Sequence, residues 1–223
     1  MFVGHYGVSF AARRTGVYLP LWVWFVAVQW LDIVFMTLVL AGVEKVRITE
    51  GFTESNDLDL YYMPFTHGLV GALVMSAVFA VIVAAVFPAG RRPLGFGLVA
   101  LASFSHWLLD LVMHTPDLPL LGDDSAKVGL GLWENVAVSF PLELLVLGLG
   151  MWLYARSVNL AGRTARVILW VFFALLALVQ VYGTFAPSPP DAVEFAVSAL
   201  IGYAVLAALA AWVEKRIART YAG

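Results

Sequence analysis

Apolar residues along this chain fall into six long runs separated by polar breaks. They are Val17–Val43, Thr66–Phe87, Leu94–His114, Val136–Ala155, Ala165–Ala186 and Ala192–Val213. Each approaches the roughly 20 residues a helix needs to cross a bilayer. The pattern predicts an all-α integral membrane protein with about six transmembrane helices. It forms a single transmembrane domain over 1–223, with polar site-bearing helices in 1–155 and apolar scaffold helices in 156–223. The first twelve residues carry no positive n-region, and Arg13-Arg14 follow them. The pair has the look of a twin-arginine signal, but no small-residue cleavage site follows the first run, which is read as a retained helix. Gly16 and Pro20 flank the start of that run, and both break helices. A chain reversal there would turn residues 2–13 into a short helix re-entering the membrane.

Into these runs the sequence places ionisable groups that are costly at such depth, on the order of 2.5–3.5 kcal/mol each on insertion scales. Asp32 lies in the first run, His67 heads the second, His106 and Asp110 lie in the third with His114 at its end, and Glu143 lies in the fourth. His106, Asp110 and His114 stand at intervals of four and share one helical face. At about 1.5 Å per residue, His106 rises roughly 21 Å from Arg92, Glu143 roughly 20 Å from Arg156, and Asp32 roughly 18 Å from Pro20. Three helices thus bring charge to a similar level, with Asp110, His114 and His67 further out. His5 on the re-entrant helix would sit roughly 12 Å up, below Asp32. Imidazoles and carboxylates from neighbouring helices of a bundle suit zinc, and also manganese or iron. Intramembrane proton or ion relays use the same groups.

Composition adds limits. Of 223 residues, 62% are hydrophobic and 13% charged, far from the roughly 25% charged of a soluble domain. The absence of cysteine removes thiolate ligands and nucleophiles, and the net charge of −2 gives no pull toward nucleic acid. Ten of the thirteen basic residues, including Arg13, Arg92, Arg156 and Lys215, fall on one side of a six-span model. The positive-inside rule then predicts a multi-pass protein of the inner (plasma) membrane with both termini cytoplasmic. The opposite face is acidic, from Glu44 to Glu194, and reads as solvated surface. It includes two longer segments, Glu44–Phe65 and Thr115–Asn135. In the second, Gly129 and Gly131 predict a tight backbone and Trp133 an interfacial anchor.

An early His5, Asp32, the pair Thr66-His67 opening a span, and Ser105-His106-Trp107-Leu108-Leu109-Asp110 together resemble the bacterial inner-membrane metal-dependent hydrolase family over roughly residues 1–150. That family has been likened to the all-helical zinc phospholipase C and nuclease group. The resemblance implies His5, Asp32, His67, His106 and Asp110 as metal ligands, with Glu143 as an extra one, and cleavage of a phosphoester or ester. This chain has Leu31-Asp32-Ile33-Val34 where the family often has Pro-Asp-x-Asp, and Tyr62-Met63-Pro64-Phe65 where His-Arg-Gly is frequent. Two ligands are thereby missing, which argues against a multinuclear centre.

Two functions follow. One is a hydrolase in which a His/Asp-bound divalent metal, zinc first, activates water and Asp110 or Glu143 takes the proton. Its substrate would be a small molecule or a membrane lipid. The other is a transporter or channel that moves ions or protons along the same groups. Inverted repeats mark many transporters, and none relates residues 1–110 to 111–223. A third reading is a non-catalytic membrane scaffold. The apolar last two helices are read as scaffold and as the face for a homo-oligomer.

Overall fold

The computed structural model describes residues 1–158, 160 and 162–219. Among these residues eight α-helices carry the fold: α1 Gly4–Ala12, α2 Leu21–Val28, α3 Trp30–Leu40, α4 Leu69–Val86, α5 Pro93–Met113, α6 Val136–Ser157, α7 Arg163–Phe185 and α8 Ala192–Arg219. Among the described residues, helices α4 to α8 are each long and apolar enough to cross a membrane, and α2 with α3, bent at their break, makes a sixth if the pair is one span. The chain is thus an all-α, multi-pass membrane protein. Large apolar side chains such as Val81, Leu101, Val171 and Leu178 are exposed on the bundle's outside, as lipid contact requires.

The first expected span, 17–43, is not one helix. It breaks at Gln29, and α2 and α3 meet at 55°. No Pro or Gly causes this. Gln29 adopts φ −105° and ψ 7°, and the break frees the Val28 carbonyl at the end of α2. The other expected spans lie within a few residues of α4 to α7, while α8 runs on beyond Val213 to Arg219.

The reversal before the first span is present. After α1, Gly16 takes φ +80°, a conformation open to glycine, and the chain returns into α2. Glu214 of α8 secures the turn by accepting 2.8 Å hydrogen bonds from Arg13 Nε and from the Leu21 amide. At nine residues α1 is far too short to span. It lies inside the bundle against α6, where glycines allow backbone-to-backbone approach. A Cβ on Gly150 would collide with the Gly7 carbonyl, and one on Gly7 with the Val146 carbonyl.

The two longer outer segments fold as small hairpins. Strand β1 Lys45–Ile48 pairs antiparallel with β2 Leu58–Tyr62, and β3 Leu118–Pro119 pairs with β4 Lys127–Val128. Gly129 does lie in a tight place, since a Cβ there would strike the Thr115 carbonyl. Two apolar cores fill the bundle. One centres on Phe10, Trp24, Phe25, Tyr154 and Phe172, toward the end of α1 that carries Arg13. The other gathers Leu31, Phe35, Met63, Met113 and Leu118 beneath the hairpins. The deep ionisable groups sit where these two cores meet.

Candidate metal centre

Four local devices aim side chains at one point. The reversal at Gly16 brings α1 back so that His5 stacks on His106, ring centroids 3.9 Å apart and planes within 10°. The break at Gln29 starts α3 just before Asp32, which lies in the first turn, where the helix dipole favours a carboxylate. A turn over residues 63–68 presents His67 ahead of α4, its carbonyl accepting a 2.8 Å bond from Trp107 Nε1. Helix α5 supplies His106 and Asp110 from one face and ends on His114.

Asp110 is the hub. Its Oδ2 lies 2.9 Å from His106 Nε2 and 3.8 Å from His67 Nε2. Its Oδ1 lies 3.3 Å from His5 Nε2, 3.8 Å from His114 Nε2 and 2.7 Å from the Met1 amino nitrogen. Asp32 Oδ1 lies 3.4 Å from His67 Nε2 and 3.5 Å from His106 Nε2. Of these groups Asp32 is partly exposed, and His5, His67, His106, Asp110 and His114 are buried.

Hydrogen bonding sets the tautomers of the neutral rings. His106 Nδ1 donates to the Val28 carbonyl at 2.6 Å, which leaves Nε2 with its lone pair. The Thr66 hydroxyl donates to Glu44 Oε2 at 2.6 Å, so it accepts from His67 Nδ1 at 2.9 Å, and again Nε2 is bare. His114 Nδ1 donates to Asp117 Oδ1 at 2.9 Å with the same result. This outer layer is what metal-binding imidazoles use to fix ring orientation.

The inner nitrogens are not otherwise spent. His106 Nε2 and both ring nitrogens of His5 are buried without a hydrogen-bond partner, despite the nearby carboxylate. Such orphaned groups are costly in a core. Two atoms bound to one ion at about 2.0–2.1 Å are separated by about 2.9–3.4 Å, close to most of the spacings here. Among the described residues, two overlapping groups could hold a metal ion: His5, His106 and Asp110, and Asp32, His67 and His106. His106 belongs to both. Its Nε2 has one lone pair, so the two groups cannot both be complete at once.

The structure therefore draws together His5, Asp32, His67, His106 and Asp110, with His114 at the edge. His5, expected below the others, instead stacks on His106 and lies 3.3 Å from Asp110 Oδ1. Glu143 stands apart from the imidazoles. Its Oε2 accepts the Phe2 amide at 2.8 Å and the Gly4 amide at 3.3 Å, pinning the start of α1.

Three supporting residues escape sequence reasoning. Tyr203 of α8 donates to Asp32 Oδ2 at 2.8 Å, so the last two helices are not scaffold alone. Glu44 is buried, accepting the Phe65 and Thr66 amides on Oε1 and the Thr66 hydroxyl on Oε2. Asp117 orients His114. By composition alone Glu44 and Asp117 read as solvated acidic surface.

Thr66→Val tests this outer layer. The valine leaves His67 Nδ1 and Glu44 Oε2 without their shared hydroxyl, so metal affinity should fall about 10–100-fold. Titration with a competing chelator reads the change directly.

A cavity of about 670 Å³ reaches the cluster, with Asp32, His67, Asp110, His114, Glu143 and Tyr203 on its inner wall. Its outer wall comes from residues 53–58 and from the α7–α8 connection. No family model matches this sequence, and no curated protein or solved structure does.

Proposed function

We propose that this chain is a membrane-embedded hydrolase that uses a divalent metal, zinc first, to cleave a phosphoester or ester. The observation that carries the reading is the convergence of unspent imidazole Nε2 atoms on two carboxylates at the inner end of a cavity. His5, His106 and Asp110, or Asp32, His67 and His106, would hold the ion, and His114 could complete the first set. When bound, the ion makes a water acidic enough to lose a proton near neutral pH and polarises the ester oxygen. Where Asp110 is a ligand, as in the first set, Glu143 on the same cavity wall is left as the proton acceptor. Its Oε2 is held by the Phe2 and Gly4 amides, and Oε1 takes neither of them. The water oxygen bonds to phosphorus or to the acyl carbon, the ester bond breaks, and the departing alkoxide leaves with the proton from Glu143. Tyr203 keeps Asp32 oriented throughout.

Ion transport is the rival use, and the bend between α2 and α3 is a feature transporters share. The aromatic core around Phe10, Trp24, Phe25 and Phe172 argues against it, since it fills the bundle on the far side of the cluster with apolar side chains. In the proposed setting the protein lies in an inner membrane with its basic ends cytoplasmic and its cavity facing outward, where lipid or a small ester can enter. The exposed faces of α7 and α8 are the proposed contact between copies.

Elemental analysis tests the metal. Protein purified without chelator should carry at least one equivalent of zinc, and His106→Ala should lose most of it while keeping its helical circular dichroism. A folded, metal-free wild-type protein that takes up no added zinc would remove the proposal. Hydrolysis of bis-p-nitrophenyl phosphate or p-nitrophenyl butyrate, abolished by chelation, tests the chemistry.

A further inference from the structure

Resting on the hydrolytic reading for the chemistry at the cluster, we infer that the substrate is a membrane lipid that enters sideways, between the outer halves of α7 and α8, and keeps a hydrocarbon chain in that opening. The two helices pack together at their inner ends, where Leu169, Phe172 and Leu176 of α7 share one apolar core with Leu206, Ala210 and Val213 of α8. Further out they part. Ala196 and Tyr203 of α8 join the other core, together with Phe35 and Met36 of α3. Among the described residues, nothing of α7 beyond Val179 joins either core. The cavity occupies the space so left: Val179, Tyr182 and Gly183 line it from α7, and Phe195, Ala199 and Gly202 from α8.

That opening faces the bilayer. Tyr182 lines the cavity yet is 74% exposed, and Gly183 beside it is exposed as well. On α7, Tyr182 shares a face with Leu178 and Phe185, both exposed on the outside of a membrane-spanning helix. The cavity wall is therefore continuous with the lipid-facing surface. From there it runs inward. Gly202 lies ten residues from the start of α8, roughly 15 Å along the helix, which is about half of a hydrocarbon core about 30 Å thick. A chain leaving the cavity sideways at such depth meets hydrocarbon and not water.

Missing side chains keep the way clear. A Cβ on Gly202 would meet nothing within 4 Å, and one on Gly183 would meet only a carbon of the Phe2 ring at 3.8 Å. Glycine inside a helix costs stability relative to alanine. Close backbone contact accounts for Gly7 and Gly150, but no contact accounts for Gly183 and Gly202. What they leave is room between the bilayer and the cluster. The aqueous end, by contrast, is tied together. Ser188 of the α7–α8 connection donates to Asp57 Oδ2 at 2.6 Å, and the Val136 amide donates to Glu54 Oε2 at 3.1 Å. A lipid seated this way has its chain in the opening, its scissile linkage at the cluster and its polar head toward those loops. Contact between copies at the inner ends of α7 and α8, where Trp170 and Trp212 are exposed, leaves the opening free.

The chain has no cysteine, so Ala199→Cys places a single thiol on the cavity wall. In lipid nanodiscs this thiol is labelled in parallel with N-dodecylmaleimide, which arrives through the bilayer, and with the membrane-impermeant trimethylammonioethyl methanethiosulfonate, which arrives through water. Adding Gly183→Leu should slow the first reagent several-fold and leave the rate of the second as it was. Equal slowing of both reagents, or slowing of neither, overturns the inference. The leucine displaces no packed neighbour and favours the helix, so this variant should melt no lower than its parent. Melting well below the parent shows that Gly183 serves packing and also overturns the inference. With p-nitrophenyl palmitate and p-nitrophenyl butyrate as substrates, Gly183→Leu should lower the palmitate-to-butyrate ratio of kcat/KM several-fold. Labelling needs no metal, which separates the two readings. A sideways route in a protein that binds no zinc leaves this inference standing as a lipid site while the hydrolase falls. Zinc-dependent hydrolysis without a sideways route does the reverse.

Discussion

Asp110→Asn is expected to cost the centre its metal almost entirely, with affinity falling on the order of 100-fold or more and any hydrolytic activity falling with it. The substitution is nearly isosteric, so the cavity keeps its shape and the change is one of charge and donor set. Asp110 presents each of its oxygens to a different half of the cluster, Oδ2 toward His106 and His67, Oδ1 toward His5 and His114. An asparagine can offer one neutral oxygen to one half and must turn an NH₂ toward the other. No other residue of the cluster lies within reach of all four imidazoles. Chelator competition gives the affinity, and circular dichroism with a melting curve shows whether the helices persist. A folded Asp110→Asn protein with wild-type zinc content would sink the assignment of Asp110 as a ligand.

The second large effect comes from a position with no functional group. Gly150→Ala should destabilise the protein by about 3 kcal/mol or more and release metal as well, because its Cβ would overlap the Gly7 carbonyl. Backbone, not a flexible side chain, would have to move. That movement would push α1, and His5 with it, off the cluster. Gly148→Ala, two residues away, meets only the Phe173 ring at 4.0 Å and should be tolerated. Thermal melting and zinc content measured on the pair distinguish loss of close packing from a general intolerance of α6. Equal behaviour of the two variants would count against the α1–α6 contact.

Much of this architecture can be read from the sequence because bilayer physics is one-dimensional. A run such as residues 66–87 must be helical and about that long, and α4 duly occupies Leu69–Val86. The ionisable residues on α5 are legible for the same reason: charge at depth needs partners. What escapes is whatever depends on tilt and on contacts between distant segments. The break at Gln29 has no Pro or Gly to announce it, and the 55° bend alters the rise assumed for Asp32. A rise of roughly 12 Å for His5 supposes that the turn at Arg13 marks the membrane edge, whereas Glu214 draws the turn in against α8. Tyr203 in an apolar helix reads as packing or interface, and only the fold shows its hydroxyl on Asp32. Glu44 and Asp117 sit in acidic segments where most carboxylates are solvated, so composition hides the two that orient imidazoles.

The seating of α1 on α6 also sets an order of assembly. Gly7 and Gly150 are separated by 143 residues, and a contact that distant closes late in folding because the chain between must first be arranged. During synthesis His5 is made long before α6, yet it cannot reach its station until α6 has been inserted. Until then Asp110 and His106 stand in a half-built bundle with one wall missing. Metal capture would therefore report a finished molecule, and a zinc-dependent rise in protease resistance, timed against chain length in a translation-insertion experiment, should appear only after α6 has left the ribosome.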